Sequence, residues 1–538
     1  DPVFLHSLGD LYFSINKIDK AFYFYLECYR ESGLNYFNSV SILNLLKYAY
    51  NSGSYEVFDT VVNDSSFYLG IQLDPNLKKM IEKNKFALNM KKDSVIFNPV
   101  LLDINSLSDD YFPSMPINSD VIIFTHREIS EFKDENFFIS RKQNNTWTKP
   151  VKLGDNINSE YREGSLSVGI HGKDLYFASC HRPDSYGGCD IYYSRLISDT
   201  LWSDSYNIGS VINGKYWESQ PCISSDGNSL FFTSNRYGGY GGTDIWVSKR
   251  SDNGWSSPVN LGPLVNTSSD EATPFLHYDN NSFYFSSKGH DGFGGFDLYM
   301  CRIDSLGNIS EPINLGYPIN THNDESGLII AKDGLTAFYN SDSRNNLDIY
   351  TFELPTKYQA HPVSVINGLV IDSISREGVS ASITINELNH VKKHDLRSDL
   401  DGVFSCPFPV KSQFSITVLS KGYDFYSANY MFEDNEYVKD INIVLSRLSV
   451  GNKMKLEHIY YDFDDYSLKE ESFIELNKFA KYLKTNSMLK IEIGGHTDDI
   501  GSELYNKRLS MNRAESVYQV LVNFGVDKNR MTYKGYGY

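Results

Sequence analysis

Four stretches of this chain can be laid on one another: "KDLYFASCHRPDSYGGCDIYYS", "NSLFFTSNRYGGYGGTDIWVS", "NSFYFSSKGHDGFGGFDLYMC" and "LTAFYNSDSRNNLDIYTFE". Their aspartates, Asp190, Asp244, Asp297 and Asp348, recur at intervals of 54, 53 and 51 residues. Each unit has alternating apolar strands, a glycine turn and a closing strand of the "PVNLG" kind. About fifty residues per four-stranded unit is the period of a propeller blade. An earlier copy, "DVIIFTHREISEFKDENFFIS", lacks the glycine-rich loop and carries Asn136 at the aspartate position. The closing strands also count the blades. One of them, in "NPVLLDINSLSDD", precedes the first unit and has no blade of its own, whereas the last unit lacks one. The simplest closure lends residues 95–105 to the last unit and predicts five blades with no open sheet edge.

The repeated aspartates and glycines are not read as a metal or catalytic site. Glycine supplies positive φ in tight turns and aspartate caps their amides. A site needs convergence of different residues, and repetition of one residue is the signature of a turn. The chain also lacks a GxSxG nucleophile and a His/Glu metal motif, so no catalytic residue, metal or cofactor is expected. The competing reading, an enzyme with the propeller as its platform, has no residues to carry it.

At 538 residues the chain is too long for one core. The formal net charge of −18 excludes a nucleic-acid partner, since a phosphate backbone needs a basic face. No stretch approaches the roughly 18 apolar residues that span a bilayer. The chain opens at Asp1 inside a helical pattern with no signal peptide. That fits a cytoplasmic protein or one whose leader has been removed. Six cysteines are scattered, with no CxxC pair. Cys180 and Cys189 bracket a loop; a bridge across it is the open alternative, and buried free thiols, the commoner state, are the expectation.

The flanking regions have different textures. Over the first 90 residues, "LGDLYFSINKIDKAFYFYLECYR" places Gly9, Tyr12, Ala21 and Tyr25 where two helices cross closely. A shift of 36 residues puts Tyr48 under Tyr12 and Val57 under Ala21, with Leu45 in place of the glycine. "DPNLKKMIEKNKFAL" begins a third, capping helix. From Pro362 to about Arg447, short alternating strands are separated by Gly, Asp and Ser turns, which reads as a small antiparallel sandwich. From Leu456 the order is β-α-β-α-β. "LEHIYYDFDDYS" is the first strand. "SLKEESFIELNKFAKYLK" opens on a capping box of Ser467 and Glu470 and turns Leu468, Phe473, Leu476, Phe479 and Leu483 inward. "MLKIEIGGH" is the second strand. A helix over 506–524 buries Ala514, Val517, Leu521 and Phe524 and stops at Gly525. "RMTYKGYG" is the third strand.

Near its C-terminus the chain places Asp498 and Arg513 on either side of a polar turn and a helix start. As a private surface ion pair they would contribute only about 0–1 kcal/mol. As two halves of a receptor they suit a ligand with an ammonium beside a carboxylate. The carboxylate takes the first charge, and the planar guanidinium takes the second through two parallel hydrogen bonds. His496 ends a strand and is expected to pack or bond within the turn.

Each texture resembles a known family. The first 90 residues are similar to tetratricopeptide repeats, on the Gly9, Tyr12, Ala21 and Tyr25 spacing. The "SxDGxxLFF…GGxGGxDI" pattern resembles the WD40-like PD40 repeats of the TolB type. Asp401, Gly402 and Phe404 with Lys421 to Tyr423 resemble the carboxypeptidase regulatory-like domain, a non-catalytic spacer or docking module. "YYDFDDYSL", "GHTD", Gly501, "YNKRLSMNRA", "GV…R" and "GYG" strongly resemble the OmpA-like C-terminal domain. That resemblance implies binding of the peptidoglycan stem peptide through diaminopimelate, with Asp498 and Arg513 as ligands and Asn506 fixing the loop. The family continues past the Gly-Tyr-Gly-Tyr at which this chain stops, so no contact from that end is assigned.

The expectation is a multidomain chain. It has an α-helical repeat (1–90), a five-bladed all-β propeller (91–358), a β-sandwich (362–447) and an α+β OmpA-like domain (451–538). This order resembles the PorE-type components of the type IX secretion system. It implies a non-enzymatic, outer-membrane-associated periplasmic scaffold that grips the cell wall and holds protein components of a secretion or gliding complex. Contact with a membrane would come only through a lipid anchor before Asp1. The alternative is an envelope glycan- or protein-binding module unrelated to secretion.

Overall fold

The computed structural model describes all residues except 65–74, 119, 129–133, 199, 252–253, 305, 343–345, 389–392, 411, 434–435 and 452. Asp74 of the predicted capping helix and the loop of the earlier copy at 129–133 therefore lie outside the described residues. The chain divides into two compact units, Asp1–Val363 and Ser364–Tyr538. Among the described residues no helix is long and apolar enough to cross a membrane.

The first unit opens with helices α1 (Pro2–Ser14), α2 (Ile18–Ser32), α3 (Ser39–Asn51), α4 (Tyr55–Asn63) and α5 (Pro75–Lys92). Asn38 caps α3 by accepting from the Val40 and Ser41 amides, which satisfies donors that a helix start leaves orphaned. Gly9 lies against the Tyr25 ring, where the small-residue spacing predicted a close crossing. Ala21, Tyr25, Leu45, Leu46, Ala49 and Phe58 are buried in the shared core.

Five antiparallel sheets follow among the described residues. Their inner strands are Asp109–Ser114, Arg162–Val168, Glu218–Ile223, Glu271–Leu276 and Glu325–Ile330. Each inner strand lies beside the next, and the fifth returns to the first, in a propeller-like ring. The fifth sheet takes its outermost strand from Val100–Leu101, which pairs antiparallel with Thr351 and Tyr350. Every inner strand carries a register shift near its start. A bulge frees an amide from its ladder, and neighbouring side chains take up several of these. Gln220 N–H donates to Ser165 Oγ (2.8 Å), Thr273 N–H to Gln220 Oε1 (2.9 Å) and Phe112 N–H to Asn340 Oδ1 (3.2 Å). Gln220, Thr273 and Phe112 sit at φ 51°, 46° and 49°, a left-handed conformation that side chains tolerate only where the surroundings fix it.

Three of the repeated aspartates, Asp190, Asp244 and Asp297, are turn devices. Asp190 accepts the Tyr186 and Gly187 amides, and Asp244 accepts those of Tyr240 and Gly241. Cys180 and Cys189 form a disulfide, contrary to the expectation of free thiols. They are direct cross-strand partners in the second sheet, and the loop between them is closed by the sheet itself. The other four cysteines are buried and form no disulfide.

The second unit begins with two sheets that share one core. Val403–Pro409, Val363–Asp372 and Val438–Leu445 form one, and Lys393–Arg397, Ser382–Glu387, Gln413–Leu419 and Tyr426–Met431 the other. Val370, Phe404 and Ile443 of the first meet Ile383, Phe414 and Ile416 of the second. One pair departs from the antiparallel expectation: Val363–Asp372 and Val438–Leu445 run parallel.

Helix α6 (Glu470–Thr485), strand Ile491–Gly495, helix α7 (Glu503–Asn523) and strand Met531–Gly535 complete the unit. The two strands are parallel. A Cβ on Gly495 would stand 2.0 Å from Ser510 O and one on Gly535 2.4 Å from Met511 N. Only glycine lets α7 lie this close to both strands. Leu476, Phe479, Leu483, Val517 and Leu521 fill the core. Three sequence expectations fail here. The first predicted strand reduces to a single bridge between Tyr461 and Leu468. Helix α6 starts after Lys469 without a side-chain cap, since a lysine has no acceptor to offer, and the Ser467 amide that Glu470 was expected to bind is taken by Asp465 Oδ1. Phe473 is 40 % exposed, since the buried face of α6 runs through Ser472, Glu475, Leu476 and Phe479.

Candidate functional site

The candidate site lies where α7 meets two turns. The first is residues 496–502, between the Ile491–Gly495 strand and α7. The Thr497 amide donates to Gly537 O (2.8 Å), which ties this turn to the C-terminal strand. Gly501 adopts φ 112°, and Ser502 caps α7 by accepting from the Tyr505 amide. Asn506 is 1 % exposed, and its Nδ2 donates to the Asp498 carbonyl (3.3 Å). The side-chain carboxylate of Asp498 faces solvent. Asn506 thus holds the backbone at Asp498.

The second turn, residues 462–467, positions Arg513. Asp465 Oδ1 accepts the Tyr466 and Ser467 amides; these bonds, that of Ser467 first, hold its carboxyl below the usual carboxylate range. The outward carbonyl of the same residue accepts from Arg513 Nε (2.9 Å), and the Asp462 carbonyl accepts from Nη2 (3.4 Å). The guanidinium carbon lies 4.8 Å from the centroid of the Tyr461 ring. Tyr461 OH donates to the Arg513 carbonyl (2.9 Å), so one tyrosine fixes both the backbone and the head group of this arginine. Burial, which outweighs the nearby Arg513 charge, raises the Tyr461 phenol and keeps it a neutral donor.

Among the described residues no ion pair joins Asp498 to Arg513. The guanidinium is steadied by carbonyls and a ring, and among the described residues no carboxylate forms an ion pair with it, although the Asp465 carboxylate feels its charge. His496 is exposed and stacks on Tyr536, with centroids 5.3 Å apart and planes 9° from parallel. Sequence reasoning missed Tyr461, Asp462 and Asp465 as determinants of the site, although all three fall in "YYDFDDYSL". Among the described residues no cluster of His, Cys, Asp and Glu is arranged to hold a metal.

Residues 460–538 match the OmpA family. Outer membrane porin F of Pseudomonas fluorescens is 39 % identical over 79 residues, which cover 15 % of this chain and 24 % of that protein. The peptidoglycan-associated lipoprotein of Buchnera aphidicola subsp. Baizongia pistaciae is 30 % identical over 135 residues, covering 25 % of this chain and 75 % of that protein. Through its C-terminal part the chain belongs to the OmpA family. It spans about a quarter of the length of the porin F relatives. The crystal structure of TolB from Acinetobacter baumannii aligns with 46 % of this chain and 55 % of its own at 14 % identity, with a TM-score of 0.30.

Proposed function

We propose that the chain is a non-enzymatic periplasmic scaffold that anchors an outer-membrane-associated complex to peptidoglycan. Its OmpA-like part takes the diaminopimelate end of a stem peptide, with Asp498 receiving the ammonium and Arg513 the adjacent carboxylate. The observation that carries this reading is that the Asp498 backbone and the Arg513 guanidinium are each held by other groups, and the two side chains do not pair with one another. A guanidinium braced from behind by two carbonyls and a ring is preorganised for a planar anion. The disulfide between Cys180 and Cys189 supports an oxidising compartment outside the cytoplasm.

In the same reading the five sheets are the blades of a propeller closed by Val100–Leu101. The helices form tetratricopeptide-like repeats, and both regions bind protein components of a secretion or gliding complex of the type IX kind. The test is titration of a diaminopimelate-containing stem peptide into the full chain, followed by calorimetry. Saturable binding that disappears in both Asp498→Ala and Arg513→Ala supports the anchor. Binding that survives both changes refutes the assigned site.

A further inference from the structure

Three of the sheets carry the same glycine-rich turn between their second and third strands. In each, the closing aspartate accepts the amide of the aromatic residue four positions earlier: Tyr186 to Asp190 (2.7 Å), Tyr240 to Asp244 (2.6 Å) and Phe293 to Asp297 (2.8 Å). Tyr186, Tyr240 and Phe293 are therefore equivalent positions on neighbouring sheets. The turns of the second and third sheets are also seated alike on the next sheet, with Gly188 N–H donating to Tyr216 O and Gly242 N–H to Ser269 O, both at 2.9 Å.

The three turns differ in what covers them. Phe293 is fully buried in the helical core, with its ring centroid 6.1 Å from Tyr55 and 6.2 Å from Phe86. The corner between α3 and α4 reaches the turn with two phenols: Tyr50 OH donates to Gly292 O (3.1 Å) and Tyr55 OH to Phe293 O (2.5 Å). On the second and third sheets, Tyr186 and Tyr240 are 53 % and 52 % exposed, and Tyr237 beside the latter is 90 % exposed. The equivalent carbonyls of Ser185, Tyr186, Gly239 and Tyr240 accept no hydrogen bond among the described residues. The disulfide closes the residue 181–188 loop and limits the entropy its ordering would cost.

We propose that the turns of the second and third sheets form a docking surface for the corner of an α-helical hairpin from a protein partner, bound as α3 and α4 bind the fourth turn. An apolar side chain would pack on Tyr186 or Tyr240 while hydroxyl donors satisfy the paired carbonyls. This deepens the scaffold reading by naming where and how a partner docks. Stem-peptide titration at Asp498 and Arg513 tests that reading separately, so either can fail alone.

The probe is a peptide of residues 39–63, held helical by side-chain cross-links on its outer face and titrated into the full chain. Saturable binding is expected, weakened at least tenfold by Tyr186→Ala combined with Tyr240→Ala. Both side chains are more than half exposed, and unchanged circular dichroism would show that the variant folds. A peptide with Tyr50→Phe and Tyr55→Phe is expected to bind at least fivefold more weakly to the unaltered chain, which tests the hydroxyl donors without touching the surface. Failure of the hairpin to bind, or binding indifferent to the double substitution, overturns the proposal. So does binding of a peptidoglycan glycan strand by the same tyrosines with the hairpin ignored.

Discussion

Arg513 lies with its guanidinium carbon 4.8 Å from the ring centroid of Tyr461, and the phenol of that same tyrosine donates to the Arg513 carbonyl. A cation over a half-buried aromatic ring is worth roughly 0.5–2 kcal/mol. Tyr461→Ala removes both the ring and the hydroxyl and is expected to weaken stem-peptide binding by about tenfold. Tyr461→Phe keeps the ring and is expected to cost less than threefold. Calorimetric titration of the two variants separates the ring from the hydroxyl; equal losses would count against a role for the ring.

Asn506 acts through the Asp498 backbone. Its amide is buried and donates to the Asp498 carbonyl, so Asn506→Ala leaves that carbonyl without its partner at a cost of about 1–3 kcal/mol. Both a lower unfolding midpoint and weaker stem-peptide binding are expected. Asp498→Asn, at an exposed position, should leave the midpoint unchanged and lose only binding. Chemical denaturation of both variants beside the titration distinguishes a positioning residue from a ligand.

In the ring of sheets, Gln220 accepts the Thr273 amide and donates its own amide to Ser165 Oγ. Gln220→Ala leaves the Thr273 amide unsatisfied while keeping a side chain at φ 51°. A loss of about 1–3 kcal/mol is expected, read from the denaturant midpoint of the full chain. A neutral result would mean that water replaces Oε1 there.

Much of this architecture was legible in the sequence, and the reasons are local. An aspartate that must accept two turn amides recurs at blade spacing, so Asp190 and Asp244 gave away both the turns and the repeat. The strand lent by Val100–Leu101 was legible because a closing motif stood without a sheet. The seat of Arg513 was not, because it is made of backbone carbonyls at Asp462 and Asp465, and a carbonyl contact some fifty residues away leaves no mark on residue type. Phe473 misled because helical spacing predicts a face but not its exact rotation. The parallel pair of Val363–Asp372 and Val438–Leu445 was invisible for a similar reason: alternation sets which side chains face inward, not the direction of the neighbouring strand.

The Cys180–Cys189 bridge joins strands already paired by the sheet, so its loss should be felt mainly in the turn it closes. Cross-linking a loop of about ten residues contributes roughly 2–3 kcal/mol in the chain-entropy account. Cys180→Ser with Cys189→Ser is expected to lower the unfolding midpoint by that order. Hydrogen exchange should quicken across residues 181–188 and stay unchanged across 235–243, where no disulfide is present. Equal quickening in both turns would show that the sheet, and not the bridge, holds them.

Asp297 gives the first unit a pH dependence of a definite sign. Complete burial pushes its carboxyl up to about 8 from the ordinary value of 3.8, against the opposing Phe293 amide. Burial drives Glu325 well above the carboxylate range as well. For an acid whose folded value is raised, the folded state holds the proton more tightly than the unfolded chain. Its contribution is fully present below about pH 4 and is lost as the pH rises toward 8. Asp297 sits under the turn that carries Phe293 into the helical core. Hydrogen exchange in α3 and α4 is therefore expected to quicken between pH 5 and pH 8, beyond the intrinsic chemical rate. Asp297→Asn keeps an acceptor for the Phe293 amide without a titrating charge and should flatten this dependence. An unchanged pH profile in that variant would assign the effect to Glu325.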